Sequence, residues 1–201
     1  VEQRESPPAG LVLPGRFLRQ GQTVAHAVAD ALRVKAGLAD LQVPPRLLRV
    51  FDDPGRDARG WTLSLGHAVS VPFERMDGAT GRLVHVDARG VAQTGTALLF
   101  DHDVIVREAA EDIRARYELL PDPDALLEEG FTLAELRHLH EGVLGQPLRK
   151  DTFNRRMVDL LQPQTGQDGS PILRTRGGRP AQVYRRKTAT KSPPAAQRRL
   201  V

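Results

Sequence analysis

Residues 130–186 read GFTLAELRHLHEGVLGQPLRKDTFNRRMVDLLQPQTGQDGSPILRTRGGRPAQVYRR, and the order of signals in this stretch decides the fold of the second half of the chain. Thr132 and Glu135 stand at capping-box spacing, where the threonine side chain accepts from the helix start and the glutamate reaches back. Leu136, Leu139, Val143 and Leu144 continue an apolar face at helical period, and Gly145-Gln146-Pro147 breaks it. A second helix is predicted from residue 149 to 161. It turns Phe153, Met157, Leu160 and Leu161 inward and leaves Arg149, Lys150, Thr152, Asn154, Arg155 and Arg156 outside. Two short strands follow, 172–175 and 181–184, joined by Arg176-Gly177-Gly178-Arg179-Pro180. The paired glycines suit the positive φ angles of a tight hairpin turn.

Helix, short turn, basic helix and basic-tipped hairpin are the order of a winged helix-turn-helix. In that arrangement the second helix enters the major groove while the wing meets the backbone or the minor groove. Arginine and asparagine on the exposed face can pair bidentately with guanine and adenine edges while the remaining Arg and Lys neutralise phosphates, which makes Arg149, Lys150, Thr152, Asn154 and Arg155 the candidate DNA contacts of this helix. Arg174, Arg176, Arg179 and Arg185 are the candidate phosphate contacts. A solvated charged face is the plain alternative for any basic helix. The preceding turn and the following glycine hairpin favour double-stranded DNA as the partner.

Charge supports the same division. Residues 1–129 carry 15 Lys/Arg against 20 Asp/Glu, whereas residues 130–201 carry 14 against 5. An acidic module followed by a basic one points to a polyanionic partner for the second. The expected organisation is a first domain over 1–120 that includes a linker helix at 101–118, a winged helix over 121–187, and a basic, linker-like tail over 188–201. With 40% hydrophobic and 27% charged residues the composition is ordinary, and no apolar run approaches the ~20 residues of a membrane span. No membrane partner or secretory signal is expected, so a cytoplasmic location is the default. The absence of cysteine excludes disulfides and thiolate metal sites.

In the first module, Thr23 can cap a helix whose buried face is Val24, Val28, Ala31 and Leu32, with Gly37 in the left-handed position past its end. A strand is expected over 47–51, a polar loop over 52–60, a buried strand over 61–71 and a strand-like segment at 84–86. Asp101 is the expected N-cap of a helix with Ile105, Ala109, Ile113 and Tyr117 on one stripe. The loop is the candidate ligand site: Arg56 and Arg59 suit a pyrophosphate, and Trp61 either stacks on the ligand or, more in keeping with its type, anchors the core. His102 serves as a ligand contact or as a capping residue. The six histidines show no metal pattern, since His138 and His140, two apart, leave different helix faces.

The stretch GRFLRQGQTVAHAVADALRVKAGL, residues 15–38, resembles the Nudix box, G-x5-E-x7-R-E-U-x-E-E-x-G-U with U aliphatic. The glycine falls on Arg16, the first glutamate on Gln22, the arginine on Asp30, the next glutamate on Ala31, and the final pair on Val34 and Lys35. Leu32, Gly37 and Leu38 match. Mg²⁺ and Mn²⁺ require oxygen ligands, preferably ionised, and none of the four glutamate positions carries a carboxylate. The expectation is therefore a domain that is not an enzyme and holds no metal. The enzyme alternative is a nucleoside diphosphate hydrolase with metal ligands outside the box. A decayed protein with neither activity is a third reading.

Over its whole length the chain is similar to the Nudix-related transcriptional regulators of NAD metabolism called NrtR, with relatives described as ADP-ribose pyrophosphatases. The matching stretches are LPGRFLRQGQT, RVFDDPGRDARGWTLSLGHAVSVP, FDHDVIVREAAEDIRARY, FTLAELRHLHEGVLGQPLRKDTFNRRM and ILRTRGGRPAQVYRR. The resemblance implies an α/β fold, a Nudix sandwich joined to a winged helix, acting as a homodimer on inverted-repeat operators. It also implies ADP-ribose or an NAD-related nucleotide as effector, with no cofactor required. The Nudix sandwich reads as N-terminally incomplete, because only residues 1–12 precede the box.

Overall fold

Thr23 begins the first helix as expected, its hydroxyl accepting from His26 N at 3.2 Å. The computed structural model describes residues 10–187 except 40, 42, 88, 94, 96 and 176–178. Helix α1 (Val24–Lys35) buries Ala27 and Ala31, with Val24, Val28 and Leu32 half-covered. Gly37 follows it at φ 69°, and a Cβ there would lie 2.2 Å from the Gly78 carbonyl oxygen, so both backbone conformation and space demand glycine.

Strand β1 (Arg46–Phe51) pairs antiparallel with β2 (Ser64–Ala68), with one register shift between Leu47 and Arg49. The buried strand expected over 61–71 is shorter than its apolar sequence suggests. Pairing starts only at Phe51 with Ser64, because the loop before it turns back on its own side chains, Arg59 N donating to Asp57 Oδ1 at 3.0 Å. Trp61 is consequently 76% exposed and is no core anchor. At 84–86 the expected segment contributes an isolated bridge, Val86 with Ala92.

Helix α2 (His102–Leu119) follows a turn in which Phe100 takes φ 62°. Ile105 and Tyr117 are buried, and the helix packs on β1, β2 and, past them, the second domain. Asp101 sits at the N-cap position without capping the helix, since its carboxylate is bound to Arg56.

The second domain runs β3 (Phe131–Thr132), α3 (Leu133–Leu144), α4 (Lys150–Met157), β4 (Leu161–Pro163), β5 (Leu173–Arg174) and β6 (Ala181–Arg186). Strand β6 is central and pairs antiparallel with β3, β4 and β5. Both halves of the capping box form at Thr132 and Glu135, and Gly145 closes α3 in the left-handed conformation at φ 66°. The second helix ends earlier than its pattern implies: a 3-10 turn at 158–160 lifts Leu160 to the surface and delivers Leu161 to the sheet. Phe131, Leu136, Phe153, Met157 and Leu161 form the core. Arg176, the Gly177-Gly178 turn and the tail over 188–201 lie outside the described residues.

Candidate nucleic-acid interface and effector loop

Two apolar side chains orient the basic helix. Phe153 and Met157 are buried in the core, which leaves Arg149, Lys150, Thr152, Arg155 and Arg156 exposed and Asn154 half-exposed around α4. Glu141 fixes the turn before it, accepting from Leu148 N at 2.9 Å and pairing with Arg137. The helix thus presents cations and an amide on one outward surface, the donor set that pairs with phosphates and base edges.

The expected wing residues divide into two kinds. Arg179 is exposed, and Arg185 is exposed with its Nε 3.1 Å from Gln162 Oε1. Arg174 differs from the expectation. Its guanidinium donates to both Glu135 carboxylate oxygens at 3.1 Å and to the Gly130 carbonyl, tying the wing to the start of α3. Burial pushes the Glu135 carboxyl up, but the Thr132 hydrogen bonds and Arg174 outweigh it and hold it below its ordinary range.

In the first domain, Arg56, Arg59 and His102 converge on the Phe100–His102 turn. Arg56, whose side chain is only 6% exposed, forks onto Asp101 with Nη2–Oδ1 at 2.7 Å and Nε–Oδ2 at 2.9 Å, and donates to Thr62 Oγ1. A buried guanidinium requires an anion, and here the chain supplies it. Arg59 pairs with Asp57 and lies over the Phe100 ring, 4.6 Å from its centroid. The Arg59 bond holds the Asp57 carboxyl at about 2. His102 Nδ1 accepts from Leu13 N at 2.9 Å, and burial pushes the imidazole pKa down. Trp61, the fourth expected contact, stands exposed.

The box is charge-paired internally. Asp30, at the arginine position, accepts from Arg16 at 3.1 Å, from Gln22 at 3.4 Å and from Arg33 at 3.1 Å. Lys35, at the last glutamate position, donates to the Gly15 carbonyl. An open cleft of about 450 Å³ is lined by Arg19, Gln22, His26 and Asp30. Among the described residues no group of three or more His, Asp or Glu is placed to hold a metal ion. With Asp30 taken up by Arg16, Gln22 and Arg33 and a lysine at the last glutamate position, the box residues do not fit the divalent cation that the pattern implies. Among the described residues no helix is long and apolar enough to cross a membrane.

At the domain boundary expected between 120 and 121, two buried aspartates build a joint that the sequence does not predict. Asp124 is buried and accepts from Arg46 Nη1 at 2.9 Å, from Ser70 Oγ at 2.8 Å and from Arg116. Asp122, also buried, accepts from Tyr117 Oη at 3.0 Å, from the Leu126 and Leu127 amides, and from Arg186. Burial, then the Asp122 charge, pushes the Tyr117 phenol up and keeps it a donor. The buried His140 ring lies edge-on between Tyr117 and Phe153, at 5.1 and 5.0 Å, with no well-formed hydrogen bond at either nitrogen. Two carboxylates in four residues at a domain boundary were the available signal.

A family model described as the NrtR DNA-binding winged helix domain matches residues 124–186. The ADPR responsive transcriptional repressor NtrR of Acinetobacter baylyi is 28% identical over 179 residues, covering 86% of this chain and 68% of its own length. Among solved structures, NrtR of Shewanella oneidensis complexed with a 27mer DNA superposes at TM-score 0.65 with 26% identity, over 89% of this chain and 79% of that one. A MutT/nudix family protein from Enterococcus faecalis superposes at TM-score 0.63 with 19% identity, over 88% and 73%, a likeness of fold alone. The architecture is a Nudix-like α/β domain followed by a DNA-binding winged helix.

Proposed function

We propose, for a transcriptional regulator whose residues 124–186 are an NrtR-type DNA-binding winged helix, that α4 reads an operator and that the first domain senses a nucleotide without hydrolysing it. The observation that carries this is the outward surface of α4, basic and fixed in orientation by Phe153 and Met157. Asn154 and Arg155 read bases, Arg149, Lys150 and Thr152 contact the same duplex from α4, and Arg176, Arg179 and Arg185 meet phosphates. The division into 1–120, 121–187 and a tail over 188–201 belongs to this reading.

The effector is of the ADP-ribose or NAD class, a reading supported by the ADPR responsiveness in the repressor's name and by two arginines at one loop. Arg56, Arg59 and His102 form its site, with Trp61 free to stack. Box positions Gln22, Ala31, Val34 and Lys35 leave the box without a carboxylate at any glutamate position, which favours sensing over hydrolysis. A homodimer on an inverted repeat completes the reading, supported by an exposed apolar face on the β1–β2 pair, Leu47, Val50, Leu63 and Leu65.

Mobility-shift titration of a duplex spanning the protein's own upstream region, with and without ADP-ribose, tests the proposal. The expected result is a midpoint shifted on the order of fivefold or more by the nucleotide. Identical midpoints would remove the sensor from the reading.

A further inference from the structure

Helix α2 is anchored at both ends by side chains that matter elsewhere. Its start is the Phe100–His102 turn, where Arg56 forks onto Asp101, Arg59 covers Phe100 and His102 holds Leu13. Its end is Tyr117, which donates to Asp122 and meets the His140 ring, whose other side meets Phe153 of α4. The 18 residues between carry no proline or glycine, so the helix is a continuous rod of about 27 Å.

We propose that Asp101 is an internal stand-in for the effector's phosphates, and that its displacement from Arg56 is the event α2 transmits to α4. This rests on reading the first domain as a nucleotide sensor. A guanidinium fork that fits a carboxylate bidentately fits a phosphate in the same way, so both anions compete for one donor set. The Asp101 side chain is 17% exposed and regains water when released, whereas Arg56, at 6%, keeps an anion in either state. Phe100 at φ 62° is a strained residue immediately before the helix, held by the same loop through Arg59. Because the nucleotide binds Arg56 only when Asp101 has left, it discriminates between the two states, as a ligand-driven shift requires. At the far end the Tyr117, His140 and Phe153 contacts give the rod a grip on the DNA-reading helix.

The test uses full-length protein, ADP-ribose in a calorimeter and anisotropy of a labelled upstream duplex. Asp101→Asn removes the competing charge. It should bind ADP-ribose on the order of fivefold more tightly, and without ADP-ribose should show the DNA affinity of nucleotide-saturated wild type. Tyr117→Phe, which leaves the start of α2 intact, should keep its ADP-ribose affinity while its DNA affinity responds less to the nucleotide. Wild-type ADP-ribose affinity in Asp101→Asn with a full DNA response overturns the latch and spares the sensor. No ADP-ribose binding by wild type overturns both. Should Asp101→Asn lose cooperative melting, Tyr117→Phe decides: an undiminished DNA response overturns the proposal.

Discussion

Arg46 of β1 and Asp124 at the entrance to the winged helix form an ion pair across the two domains, Nη1 lying 2.9 Å from Oδ1 of a carboxylate with no exposed side-chain surface. The same carboxylate takes Arg116 from α2 and Ser70 from the segment after β2. Three elements of the chain are therefore fixed against the second domain by one side chain.

Removing that carboxylate should be costly. Asp124→Ala leaves Arg46 with Asp112 and Arg116 with the Pro123 carbonyl, each guanidinium about a quarter exposed, which places the loss at the lower end of the range for broken buried pairs, about 3 kcal/mol. Urea unfolding of the full chain measures it. A loss under about 1 kcal/mol would show that solvent already screens the joint.

His140 sets a pH dependence. Burial lowers its pKa from the ordinary 6.5 to about 4, against the upward pull of Asp122. Between those values the unfolded chain binds more protons than the native one, so this residue's contribution to stability is full above pH 6.5 and is lost as pH falls toward 4. The loss is on the order of 3 kcal/mol. Urea titrations at pH 7.5 and 4.5 should show a smaller drop for His140→Leu than for wild type; equal drops would assign the acid sensitivity to other groups.

Two wing arginines should behave differently. Arg174→Ala unties Glu135 and should lower stability by about 1 kcal/mol, its guanidinium being partly screened by water, while the salt dependence of DNA binding is unchanged. Arg179→Ala should leave stability alone and reduce the slope of log affinity against log salt by about one. A reduced slope in Arg174→Ala would show that it leaves Glu135 for phosphate.

Incubation with ADP-ribose, NAD and related diphosphates in Mg²⁺ or Mn²⁺ should give no enzymatic turnover. A rate of ~1 s⁻¹ or above in contamination-controlled protein would restore the hydrolase reading.

What could be read from the sequence was local. The capping box at Thr132 and Glu135, the breaker at Gly145 and the inward Phe153 and Met157 depend on contacts within a few residues, and they placed α3 and α4. Strands β3 and β4, at two and three residues, are too short for a period to show. The joint was invisible for another reason: Asp122 meets Arg186 at 64 residues' separation, and Asp124 meets Arg46 at 78. In the loop, Arg56 and Arg59 stand out as cations; Asp57 lies two residues from Arg59, but the anion of Arg56 is chosen by folding. Asp101, 45 residues from Arg56, has the sequence position of a helix cap, but tertiary pairing takes its carboxylate.

The central claim is that α4 reads bases. Anisotropy titration of wild type, Asn154→Ala and Arg155→Ala against the upstream duplex and a scrambled duplex, at two salt concentrations, tests it directly. Wild type should prefer the upstream duplex, and at least one substitution should erode that preference by roughly 1–3 kcal/mol, with scrambled-DNA affinity little changed by Asn154→Ala. Equal binding to both duplexes, unaltered by either substitution, would contradict it and reduce α4 to a nonspecific basic surface.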